Sequence, residues 1–198
     1  MKIKSMLAVL IAFILMLCFT GCAETEEEGN LSSVKPLEHS LNILAIAEQG
    51  QIPEVPYKLG HDVEDLKATF MSHIDEGSEI IELGVNEGEK TVWLEGGSMT
   101  FCYEKNKKSK GIAVIVAHEY AFDFAMGVYD TDDIIYAVGS EDYERYETTD
   151  DDAFFLPAIP ENSECIKYKA GEYDLRFIFV DGFLGAVSLT NPEIWDNK

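Results

Sequence analysis

The sequence predicts an α+β fold: a tandem repeat of a short helix plus an antiparallel β-meander, with the helices packed on one face of the sheet. Three observations predict it. Helix-spaced apolar residues precede runs of alternating apolar residues, and that order occurs twice. The links between alternating runs are short and rich in Gly, Asn and Asp, which joins neighbouring strands antiparallel. Finally, Asp62-Val63-Glu64-Asp65-Leu66 matches Asp130-Thr131-Asp132-Asp133-Ile134 at an offset of 68 residues. The cap, the first-turn acid and the first core residue fall in the same places.

The chain opens with an address. Lys2 and Lys4 give a basic start, and Met6 to Phe19 is an apolar run without charge. It is shorter than the ~20 residues a helix needs to span a bilayer, so it reads as the core of a signal peptide. The run ends in Phe19-Thr20-Gly21-Cys22, which resembles the lipobox of bacterial lipoproteins, with Phe19 where that motif usually has Leu. The resemblance implies removal of residues 1–21 and acylation of Cys22. A membrane partner is then engaged through a lipid anchor on the extracytoplasmic face, and two acyl chains make such anchoring stable. Residues 22–36 follow as an acidic flexible tether: Glu24, Glu26, Glu27 and Glu28 stand among small polar residues, and Leu31 is the one large apolar residue up to Ser33.

Residues 37–198 are read as one domain, with repeats at 37–120 and 121–198. Leu37, Leu41, Leu44 and Ala45 follow helical spacing up to Gly50, and Pro53 and Pro56 mark an extended link. Asp62 caps a second helix carrying Val63, Leu66 and Phe70 on one side. Strands are expected over Ile81–Val85, Thr91–Glu95 and Met99–Tyr103. The Lys105–Gly111 segment is a basic turn, and Ile112–Ala117, apolar at every position, reads as a central strand. In the second repeat, Asp130 opens a helix that Gly139 ends, and residues 141–159 read as acidic and loop-like. Cys165–Lys169, Tyr173–Val180 and Phe183–Leu189 form the second meander.

Several of these segments together are similar to the YjgB-like family of exported bacterial proteins, a domain of unknown function. They are Gln49-Gly50-Gln51-Ile52-Pro53, Pro56-Tyr57-Lys58-Leu59-Gly60, Val63-Glu64-Asp65-Leu66, Asp132-Asp133-Ile134-Ile135 before Val138-Gly139, and Tyr173-Asp174-Leu175-Arg176-Phe177-Ile178-Phe179. Their order over residues 40–190 carries the resemblance. The family usually has Gly-Lys-Pro after the first helix, where this chain has Phe70-Met71-Ser72-His73. More distantly, tandem helix-plus-meander repeats resemble the β-lactamase-inhibitor-protein-like fold, also seen in SmpA/OmlA-type lipoproteins. The resemblance brings no catalytic residues.

Charge excludes one class of partner. The chain has 37 acids against 15 bases, a net charge of −22, and a nucleic-acid binder needs the opposite sign. Eleven acids and the single base Arg145 lie between Asp123 and Asp152. Asp130, Asp132 and Asp133 are weak candidates for a metal such as calcium, but no EF-hand pattern surrounds them and helix capping accounts for Asp130 and Asp133. No cofactor is expected. His118-Glu119 lacks the second histidine of a zinc protease, since Phe122 stands there, and no nucleophile elbow or phosphate loop occurs. Cys102 and Cys165 fall on strands and are left as a candidate disulfide, with two free thiols as the alternative.

Tyr143, Tyr146, Phe154 and Phe155 among the acids are candidate partner-binding anchors. A polar sheet face bearing Thr100, Glu104, Lys167, Lys169 and Arg176 is the other candidate surface. The expected role is a non-catalytic binding module for a protein or other envelope component. The alternatives are an inhibitor of an envelope or secreted enzyme and a carboxylate-based hydrolase.

Overall fold

Asn42 starts the first helix by accepting the Ala45 N–H on its side chain at 3.1 Å, and α1 (Ile43–Ala47) follows. The computed structural model describes residues 42–72, 84–140, 142–149, 159–160 and 162–194, all within the unit His39–Lys198. Leu37 and Leu41 lie outside the described residues. The proline-containing link that follows is not a passive connector, for it buries Ile52, Val55 and Leu59 completely or nearly so. Asp62 then caps α2 (Val63–Ser72) by accepting the N–H groups of Glu64 and Asp65 on one carboxylate oxygen, both at 2.9 Å.

The first meander is β1 (Gly84–Glu87), β2 (Thr91–Gly96), β3 (Met99–Glu104) and β4 (Val114–Ala117). The basic turn between β3 and β4 winds into a 3-10 helix, Lys105–Lys110. Three of its four lysines pair with acids nearby: Lys105 with Glu87, Lys107 with Glu104 and Lys108 with Glu64. A small hairpin, β5 (Tyr120–Ala121) and β6 (Phe124–Ala125), leads to α3 (Thr131–Val138). The second meander is β7 (Tyr143–Glu147), β8 (Glu164–Ala170), β9 (Tyr173–Val180) and β10 (Phe183–Thr190).

Both meanders lie in one eight-stranded antiparallel sheet of order β1-β2-β3-β4-β10-β9-β8-β7. Each meander contributes four strands, and their last strands, β4 and β10, pair at the centre, with Ile115 opposite Leu189 and Val116 opposite Ser188. The expected central strand is therefore central. The fold is a large antiparallel sheet with short helices, within the expected α+β class.

Register assigns the two faces. One row across the sheet runs Tyr143, Tyr168, Leu175, Leu189, Ile115, Phe101 and Leu94. Tyr57 of the link packs edge-on against Phe101 with ring centroids 5.7 Å apart, and Phe124 of the small hairpin meets Phe177 at 6.1 Å. Lys67 of α2 reaches the Tyr103 hydroxyl on this same face. Fully burying each such aromatic or leucine side chain contributes roughly 1.5–3 kcal/mol, so this layer is the main source of stability.

The neighbouring row faces the other way: Glu144, Lys167, Arg176, Ser188, Val116, Thr100 and Glu95. Thr100, Lys167, Lys169 and Arg176 thus share a face, as expected, but that face is not simply open to solvent. Thr100, Asp174, Ser188 and Thr190 are buried. Trp93, Cys102, Val114, Val116, Cys165, Ile178 and Ile194 form a second apolar cluster there. Lys107 helps hold the chain across it by donating to the Ile194 carbonyl at 2.6 Å.

Two elements were not expected. Residues 141–159 read as loop, yet Tyr143–Glu147 is a strand paired with β8 throughout. The β5–β6 hairpin also lacks the usual sequence signal, because its two turn residues are Phe122 (φ 54°) and Asp123 (φ 65°) rather than Asn-Gly.

Candidate functional site

Several candidate residues are placed by the structure, and several are separated. Asp130 and Asp133 form a capping box: the Asp130 carboxylate accepts the Asp133 N–H at 3.0 Å, and Asp133 accepts the Asp130 N–H at 3.2 Å. Asp132 is exposed in the same first turn of α3. Among the described residues, no group of three or more His, Cys, Asp or Glu is arranged to hold a metal ion.

The candidate disulfide is corrected. Cys102 and Cys165 are not joined in a disulfide, and both are fully buried. They do share a sheet face, but four interstrand steps separate β3 from β8, about 19 Å at the usual strand spacing and far beyond disulfide reach. Burial pushes the Cys102 thiol well above its ordinary range, with Glu104 adding to the shift, so it is held protonated.

Tyr143 and Tyr146 do not form one patch. They are three residues apart on β7 and so face opposite ways. Tyr143 packs on Tyr168 at 5.7 Å, and Tyr146 lies opposite Cys165 against the second apolar cluster. Cys22, Phe154 and Phe155 lie outside the described residues. His118 follows β4, as a strand-end residue should, with Nε2 3.0 Å from the Thr100 hydroxyl; burial lowers its pKa from the ordinary value, partly opposed by Glu95.

The polar face has a charged centre. Among the described residues, Asp174 is the single buried residue of the Asp, Glu, Lys, Arg and His types. Its carboxylate lies 2.6 Å from Lys169 Nζ and 3.2 Å from an Arg176 guanidinium nitrogen, and Arg176 also donates to the Thr190 hydroxyl at 3.1 Å. A buried carboxylate answered by two cations forms a structural ion-pair centre.

Two open clefts are lined by described residues. One, of about 600 Å³, lies where the outer strands end and is lined by Arg145, Tyr146, Glu147, Glu164, Phe179 and Asp181 among others. Arg145 pairs with Glu164 at 2.8 Å, and Thr131 at the start of α3 donates to the same oxygen at 3.0 Å. The rim is rigid: Thr148 and Ser163 exchange backbone and side-chain hydrogen bonds, and Ser163 donates to the Pro160 carbonyl at 2.7 Å. The second cleft, of about 610 Å³, lies beside the end of α3 and includes Leu44, Val138, Asp142, Tyr168 and Lys169. Burial raises the Tyr168 hydroxyl to about 12, so it stays protonated and donates to the Gly139 carbonyl at 2.8 Å. Sequence reasoning singled out Tyr146 and the acids but missed the first cleft, because the strand that builds it was read as loop.

A mixed charged and aromatic cleft at the end of a two-meander sheet defines an α+β domain of a recognisable kind. The fold is that of the YjgB-like domain of unknown function. The chain is similar to the crystal structure of a DUF4309 family protein (YjgB) from Bacillus subtilis subsp. subtilis str. 168. The likeness has a TM-score of 0.50 at 17% sequence identity and covers 76% of this chain and 93% of that one. No protein-family model matches the sequence, and no curated protein matches it.

Proposed function

We propose that this protein is an exported lipoprotein, held at the extracytoplasmic face of the membrane through acyl chains on Cys22, whose sheet domain is a non-catalytic binding module for a protein or other envelope component. The observation that carries the binding role is the open, rigid cleft of about 600 Å³ lined by charged side chains and Tyr146, set against a buried carboxylate already neutralised by Lys169 and Arg176. Such a cleft presents contacts rather than a tuned acid–base pair. The address is carried by the sequence: basic start, apolar core and Gly21-Cys22. Among the described residues no helix is long and apolar enough to cross a membrane.

The tandem repeat belongs to the same proposal. Its support is a clamp that occurs once in each half. Gly60 donates to the Ile112 carbonyl and Ile112 donates back to His61, just before the Asp62 cap. Gly127 donates to the Leu184 carbonyl and Leu184 donates back to Tyr129, just before the Asp130 cap. In both halves the residues entering the helix are tied to the start of the meander's last strand, and in both the helix side of the sheet receives the aromatic contacts described above.

Replacing Cys22 by Ala tests the anchor. The variant is expected to lose incorporation of a labelled fatty acid and to keep its signal uncleaved. Unchanged labelling and cleavage would overturn the lipoprotein reading. For the binding role, crosslinking on intact cells followed by capture of the protein is expected to enrich a specific envelope component; failure to enrich any would count against it.

A further inference from the structure

β7 closes the strand order on one side of the sheet. It pairs with β8 from Tyr143 to Glu147 without a register shift. Among the described residues no strand pairs with its other side. Alternate backbone N–H and C=O groups of a terminal strand point outward and can template another strand. Proline, a bulge or a central lysine would discourage that, and β7 has none of them. What it does carry is charge of mainly one sign. Glu144 is exposed on one face of the strand and Glu147 on the other, with Arg145 between them.

The cleft opens beside the same strand. Glu147, Glu164 and Asp181 line it together with Arg145, and Arg145 is committed to Glu164. A cationic side chain entering the cleft meets carboxylates and the Tyr146 ring. A second copy of this chain fits poorly. Each copy carries −22. Antiparallel self-pairing centred on Arg145 sets Arg145 against its own equivalent, and parallel in-register pairing stacks Glu144, Arg145 and Glu147 each on its like; both are destabilising.

We propose that the outer edge of β7, together with the cleft beside it, receives an extended basic peptide segment of a protein partner as an added strand, with one Lys or Arg side chain seated in the cleft. Backbone pairing supplies affinity, and the acidic edge supplies selectivity. The edge is pre-ordered by its ladder to β8 and by the Thr148–Ser163 bonds, so little ordering cost falls on the domain. This inference rests on the binding-module reading and names the partner's chemistry.

The test uses the full chain in detergent and a fluorescent nonapeptide alternating Lys and Val. Three competitors are compared with it: the same peptide N-methylated at alternate residues, a Glu-for-Lys peptide, and buffer. The expected result is saturable anisotropy, new protection of β7 amides in hydrogen exchange, and loss of both with the N-methylated and acidic peptides. Glu147→Lys combined with Asp181→Lys, both exposed positions checked for unchanged melting, should weaken binding by roughly 10-fold or more. Equal binding of the N-methylated peptide would reduce the effect to charge attraction and overturn strand addition. So would absence of binding, protection away from β7, or a dimer protecting β7 without peptide. An envelope partner captured from cells that leaves β7 amides unprotected would sink this inference and leave the binding-module reading standing.

Discussion

At Phe122 and Asp123 two consecutive non-glycine residues occupy the left-handed region, which costs each of them of order 1–3 kcal/mol unless the surroundings impose it. Two things impose it here. The Phe122 side chain is fully buried. The Glu54 carboxylate, sixty-eight positions earlier, accepts both N–H groups of the turn, from Phe122 at 2.9 Å and from Asp123 at 2.8 Å. Glu54→Ala removes two charge-assisted bonds and should lower unfolding free energy by about 2 kcal/mol in a urea titration, whereas Glu54→Gln, which keeps one acceptor, should lose less. His118 makes a second residue-level prediction. Its folded pKa lies below the ordinary 6.5, so the unfolded chain takes up the proton first as pH falls. The stability tied to neutral His118 is therefore complete above 6.5 and is lost as pH drops through the folded value. Between pH 7.5 and 5.5 the urea midpoint of the wild type should fall more steeply than that of His118→Asn.

At the scale of elements, what was legible depended on burial. β8, β9, β10 and β4 lie inside the sheet, and apolar residues at alternate or successive positions gave them away. The starts of α2 and α3 were legible because Asp62 and Asp130 cap them, a local effect readable without tertiary context. β7 was not legible. As a terminal strand it needs little apolar surface, and Tyr-Glu-Arg-Tyr-Glu has no two-residue alternation of apolar and polar. The disulfide question failed for another reason: spacing along the chain carries no information about interstrand distance. The clamp before α2 makes its own prediction. Gly111 has φ 79°, and a Cβ there would sit 2.4 Å from the carbonyl oxygens of both Gly60 and His61. Backbone cannot yield as a flexible side chain does. Gly111→Ala should cost more than about 2 kcal/mol in the same titration, through strain and forced separation. Gly139→Ala, where a Cβ meets nothing within 4 Å, bears only the conformational part and should cost less.

For the molecule as a whole, the seam between β4 and β10 governs the architecture. It joins Val114–Ala117 to Val187–Thr190, and without it each meander would end in a raw edge. β4 is buried at every residue. A chain stopped after Asp181 lacks β10 altogether, which leaves β4 and β9 each with one open edge and separates the two meanders; such a truncation should give no cooperative thermal transition by circular dichroism. The same seam sets a timetable for synthesis. The chain emerges amino-terminus first, so the first meander exists for the time needed to make some seventy further residues before the strand that seals it arrives. During that interval Val114-Ile115-Val116-Ala117 is an apolar strand with an open side. The nascent chain is thus exposed to aggregation until β10 emerges, and the arrival of that strand removes the hazard.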